Sequence, residues 1–138
     1  MRLAPYAIAY LCAGIVMAGL DAVWLTVSNQ SLYRAELGSL LASGFRLAPA
    51  IAFYLLYLLG VTILAIAPMR AGGARGATLR GALLGLVAYG TYDLTNQATL
   101  KTWSLKVTAL DLAWGTALTA TASVAGWYAS RRFTSRRD

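Results

Sequence analysis

Three aspartates, Asp21, Asp93 and Asp111, each lie inside an otherwise apolar stretch of the chain. A lone carboxylate at bilayer depth costs roughly 2.5–3.5 kcal/mol on insertion scales, so such residues face protein or a wet cavity and are functional by default. Trp24 follows Asp21 by three residues and Trp114 follows Asp111 by three, placing each indole on the same helical side as its carboxylate. Tyr89 and Asn96 flank Asp93 at helical spacing, Tyr92 directly precedes it, and Tyr54 and Tyr57 approach from another apolar segment. Together these ten residues describe an acidic, aromatic-walled pocket, which attracts cations through charge and ring quadrupoles. Carboxylates a few ångströms apart do not all ionise, so at least one should stay protonated at pH 7 unless a cation sits among them.

A plainer reading competes with this one. Buried aspartates also fasten helices by hydrogen bonds or cap helix ends, and Asp111 could be a helix N-terminal residue favoured by the macrodipole. Trp and Tyr populate the ordinary interfacial belt, to which Trp103 and Trp127 are assigned. Other chemistries are excluded by residue type. The chain has no histidine and a single cysteine, Cys12, inside an apolar run. That removes Ser-His-Asp catalysis, most zinc and iron sites, and any disulfide framework. No metal site is assigned, and the cofactor question stays open.

The elements that must position these residues are membrane spans. Of 138 residues, 59% are hydrophobic and 12% charged, where a soluble domain carries roughly a quarter charged. The fold class expected is an all-α integral membrane protein: one domain over residues 1–138, a four-transmembrane-helix bundle with spans about 3–27, 49–67, 81–100 and 108–128. The first run lacks a small-residue cleavage motif and is expected to remain as an anchor. Pro49 opens the second span and Pro68 lies just beyond it. The purely apolar part of the third, Gly81 to Tyr92, rises only ~18 Å, short of a ~30 Å hydrocarbon core. Continuing it to Leu100 carries Asp93, Thr95, Asn96 and Gln97 into the membrane. Counted from the span ends, Asp21, Asp93 and Asp111 then lie at ~25, ~20 and ~25 Å, all in the outer half and directed at one interior point.

The net charge of +7 is distributed in clusters, not as a stripe with interleaved aromatics, so nucleic acid is not an expected partner. Arg2, Arg70, Arg75, Arg80, Arg131, Arg132, Arg136 and Arg137 fall on one side of the spans; Arg34, Arg46, Lys101 and Lys106 fall on the other. The first side is expected to be cytoplasmic, with both termini there. The Gly- and Ala-rich segment from Met69 to Arg80 reads as a flexible connector. In the outer segment from Ser28 to Ala48, Tyr33, Leu37, Leu40 and Leu41 recur at helical spacing after Ser31, a candidate N-cap, and suggest a short interfacial helix. Gly14 and Ala18, Gly81 and Gly85, and Gly115 and Thr119 are small pairs that let helices approach closely.

The run Tyr89-Gly90-Thr91-Tyr92-Asp93-Leu94-Thr95-Asn96, with Asp21-Ala22-Val23-Trp24-Leu25 before it and Asp111-Leu112-Ala113-Trp114-Gly115 after it, resembles the bacterial DUF2177 membrane family over almost the whole chain. The resemblance implies a four-helix membrane protein and assigns no activity. The expected location is the bacterial inner membrane, with the lipid bilayer as the first partner.

Three functions fit these residues. The leading one is binding or transport of a small cationic or amphipathic, lipid-like molecule, proton-coupled through the aspartates, with a homodimer completing any translocation path. The second is a membrane-embedded enzyme acting on a lipid or isoprenoid, with Asp21, Asp93 and Asp111 as candidate catalytic residues in acid–base or divalent-ion chemistry. The third is an accessory subunit of a larger membrane complex. Whether the chain is an enzyme is left open by its sequence.

Overall fold

A charge-free run from Leu3 to Leu20 is free to be helical throughout, and Pro5 falls in its first turn, where a missing N–H costs nothing. A computed structural model describes residues 3–69 and 71–135. Arg2, Arg70, Arg136, Arg137 and Asp138, part of the charge pattern above, lie outside the described residues. Helix α1 spans Ala4–Ser28 and is followed by a π-helical turn at Asn29–Tyr33, the short helix α2 at Arg34–Leu37 and a 3-10 turn at Gly38–Leu40. The whole forms one rod, Ala4–Leu40.

This corrects the expectation of a separate interfacial helix. The outer segment continues α1, and the Ser31 hydroxyl donates back to the Val27 carbonyl at 3.0 Å instead of capping a new helix. Its apolar positions are spent on protein contact: Leu32 and Leu37 pack with Val107, beside Trp24, Tyr33 and Trp103. Glu36 accepts a hydrogen bond from Ser104 at 2.7 Å and pairs with Lys106 at 3.6 Å.

Helix α3 spans Leu47–Gly60 and continues through a π-helical turn at Val61–Ile66 to Met69. The rods Ala4–Leu40 and Leu47–Met69 are long and apolar enough to cross a membrane. Helix α4, Ala74–Thr99, begins seven residues earlier than the expected span. The segment read as a connector up to Arg80 is therefore mostly helical, since Ala and Arg are strong helix formers even where the hydrophobic pattern is silent. Gly73, at φ 90°, takes the left-handed turn that precedes it. Helix α5, Leu105–Ser135, likewise exceeds its predicted span. Among the described residues there are helices and connections and no strand.

The end of the molecule with residues 41–46 and 100–104 is termed upper and the end with residues 71–73 lower. Helices α4 and α5 share the closest seam. A Cβ on Gly85 would fall on the Gly115 carbonyl oxygen, and one on Gly81 would meet the Thr119 carbonyl oxygen at 2.8 Å and the Ser123 side chain. Helix α1 packs on α5 through Ala9, Ala13, Met17, Leu118 and Ala122, all buried, with Ala9 beside Gly126. Trp127 is buried against the protein and donates to the Met69 carbonyl at 2.6 Å, fastening the lower end. The lower part of the second rod is equally enclosed, with Val61, Ala65 and Ile66 fully buried. Its upper part is not: Ile51, Leu55 and Leu56 are exposed, and α3 meets the rest there chiefly through Tyr54 and Tyr57.

Candidate functional site

Asp93 and Asp111 occupy facing positions on the α4–α5 seam. Asp93 is 0% exposed, and neither of its carboxyl oxygens meets a hydrogen-bond donor among the described residues. Asp111 is close enough to interact with it directly. The Asp111 Oδ1 atom accepts a hydrogen bond from the Tyr33 hydroxyl, which itself accepts one from Trp24 Nε1 at 2.9 Å. The Tyr33 hydroxyl thus links the Trp24 indole to the Asp111 carboxyl group on α5.

Asp21 has different partners. Its Oδ1 accepts from Trp114 Nε1 at 3.0 Å and its Oδ2 from the Tyr54 hydroxyl. Among the described residues no three His, Cys, Asp or Glu side chains gather closely enough to hold a metal ion, and the hydrogen-bond donors to Asp21 are not those of Asp111. Asp21 is claimed by donors on α3 and α5, Tyr54 and Trp114. Tyr89 stands between the two groups, its ring laid on Gly115 and its hydroxyl within electrostatic reach of Asp21 and Asp111. Tyr57, a helical turn below Tyr54, shares a 2.8 Å hydrogen bond with Thr119.

The two D-x-x-W segments engage each other across α1 and α5. Trp24 and Trp114 stack at 4.7 Å between centroids and 9° between planes. Each indole N–H serves the other group's neighbourhood: Trp114 bonds Asp21 on α1, while Trp24 bonds the tyrosine that holds Asp111 on α5. Above the carboxyl pair, Trp103 Nε1 donates to Thr108 Oγ1 at 3.0 Å and Thr108 donates to Gln97 Oε1 at 3.1 Å. Tyr92 is exposed and meets Trp103 edge-on at 5.9 Å. Asn96, half-buried, lies three residues beyond Asp93 toward the end of α4.

A cleft of about 310 Å³ opens between the upper part of α3 and α4, lined by Phe53, Ala88, Tyr89, Tyr92 and Asp111. Its size falls at the lower end of the roughly 300–1,000 Å³ typical of small-molecule sites. It is apolar except at one carboxyl group, so it suits a compact cation or the charged head of an amphipath. Four residues of the cleft and the hydrogen-bond chains beside it were not assigned to the site from the sequence: Tyr33, Phe53, Gln97 and Thr108. A signal for Thr108 was present, because Thr108, Asp111, Gly115, Thr119 and Ser123 recur every three or four residues along one face of α5.

Tyr33→Phe should remove the donor to Asp111 and the acceptor for Trp24 together. Leaving buried polar partners unmade costs about 1–3 kcal/mol, so the thermal midpoint in detergent should drop, and an unchanged midpoint would show that this bridge holds nothing.

Comparison with known families matches residues 6–128 to DUF2177, described as a predicted membrane protein. No curated protein and no solved structure matches the chain.

Proposed function

The chain belongs to the DUF2177 family of predicted membrane proteins, and on that premise we propose that it binds or transports a small cationic or amphipathic molecule at the Asp93–Asp111 pair, in exchange for a proton. In this reading the chain crosses the bacterial inner membrane four times with both termini in the cytoplasm, and the carboxyl pair sits in the outer half. Charge supports that orientation: Arg75, Arg80, Arg131 and Arg132 lie at the lower end, the side expected to be cytoplasmic. A second copy of the chain would be needed to complete a path through the bilayer.

One observation carries the reading. A fully buried carboxyl group without a donor, beside a second carboxyl group at the floor of an aromatic cleft, lacks the satisfaction that buried polar groups ordinarily have. A single proton held between the two groups relieves their repulsion when the cleft is empty. An entering cation relieves it instead, with Phe53, Tyr89 and Tyr92 offering ring faces to a quaternary or primary ammonium. Asp21, with a donor on each oxygen, serves to tie α3 and α5 to α1 and to hold the cleft's walls in place.

The test is binding of butyltrimethylammonium to the protein in phosphatidylcholine nanodiscs, read from the fluorescence of the Trp24–Trp114 stack. Asp111→Asn should weaken binding by about tenfold or more, the order of one lost charge-assisted contact. Equal affinity in the variant, or equal binding of uncharged butanol by the wild-type protein, would contradict the proposal.

A further inference from the structure

The cleft at Asp111 does not stand alone on the surface of α3. A second, wholly apolar groove of about 370 Å³ runs down the same helix, lined by Phe53, Leu56, Tyr57, Gly60, Ile63 and Leu64 among others. Phe53 lines both spaces, and its ring stacks on Tyr57 at 5.2 Å between centroids. At the lower end the Arg80 guanidinium reaches the Leu64 carbonyl at 3.4 Å and marks where the groove stops. From Phe53 to Leu64 the helix rises about 16 Å. A charged recess and an extended apolar channel thus share one aromatic residue.

We propose that the occupant is a single-chain amphipath with a cationic head, the head at Asp111 and the alkyl chain lying along the α3 groove toward Arg80. This rests on the reading that Asp111 receives a positive charge, and it adds the ligand's class and its route of entry. A bulk phospholipid is a poor fit, because its phosphate would face the Asp111 carboxyl group. A compact cation without a chain would leave the groove unused. The upper part of α3 is exposed and reaches the other helices chiefly through Tyr54 and Tyr57, so the ligand enters sideways from the bilayer between α3 and α4. The head never has to cross the seam of α4 and α5, which the Gly85–Gly115 contact closes below the carboxyl pair.

Gly60 offers a clean test, because a Cβ placed there meets nothing within 4 Å. Gly60→Phe should fill the groove without disturbing the fold. In phosphatidylcholine nanodiscs, dodecyltrimethylammonium should bind the variant about tenfold more weakly than the wild-type protein, while butyltrimethylammonium binds both alike and reports an intact head site. Ile63→Trp, which narrows the groove about one turn lower, should repeat the result. Unchanged dodecyltrimethylammonium affinity in both variants overturns the groove proposal and leaves the cation reading standing. Absence of Asp111-dependent butyltrimethylammonium binding in the wild-type protein removes both.

Discussion

Replacing Asp93 with Asn should make butyltrimethylammonium binding insensitive to pH across the neutral range. On the proposed exchange, a proton and the cation compete for the same carboxyl pair in the wild-type protein. Affinity should therefore rise with pH, by up to about tenfold per unit when one proton is displaced. The variant leaves Asp111 as the only carboxyl group of the pair, already held by Tyr33, with no shared proton to expel. The probe carries a permanent charge, so its own titration does not enter. The titratable groups within electrostatic reach of the pair include Tyr33 from the α1 rod and Tyr89 from α4, and Asp21 lies within reach of Tyr89. A variant that kept the wild-type slope would place the titrating group elsewhere.

Gly85→Ala should be the most damaging single methyl group in the chain. Its Cβ would fall on the Gly115 carbonyl oxygen and lie 2.8 Å from Thr119 Oγ1, and a backbone atom cannot rotate out of the way. The two helices must separate along the whole seam, which carries Asp93 and Asp111 apart as well. Overpacking of this kind costs about 1–3 kcal/mol, visible as a lower midpoint on titration with a denaturing detergent. Gly19→Ala is the matched control, because a Cβ there meets nothing within 4 Å and alanine is the better helix former. That variant should be as stable as the wild-type protein or slightly more so. Equal stability of the two variants would mean that the seam is looser than its geometry indicates.

Much of the site was legible because it is local. Spacing set Trp24 beside Asp21 and Trp114 beside Asp111, and the two indoles stack on each other across the helices, while the small residues Gly81, Gly85 and Gly115 line a helix contact. What spacing cannot give is inter-helix register. It could not show that Trp114 would bond Asp21, or that Trp24 would reach Asp111 only through Tyr33. Depth counted from helix ends placed the three aspartates at similar heights but could not assign their partners, Tyr54 and Trp114 for Asp21 and Tyr33 for Asp111. Tyr33 was missed because a turn at Asn29–Tyr33 that keeps the helix going looks, residue by residue, like an outer loop. The early start of α4 was hidden for the opposite reason: Arg75 and Arg80 obscure the hydrophobic pattern while favouring helix.

The exchange of a cation for a proton can be measured directly. Adding butyltrimethylammonium to the protein in weakly buffered nanodiscs near neutral pH, with a pH-sensitive dye present, should release about one proton per bound ligand from the wild-type protein and none from Asp93→Asn. Ligand binding without proton release in the wild-type protein, or the same release from the variant, would contradict the account.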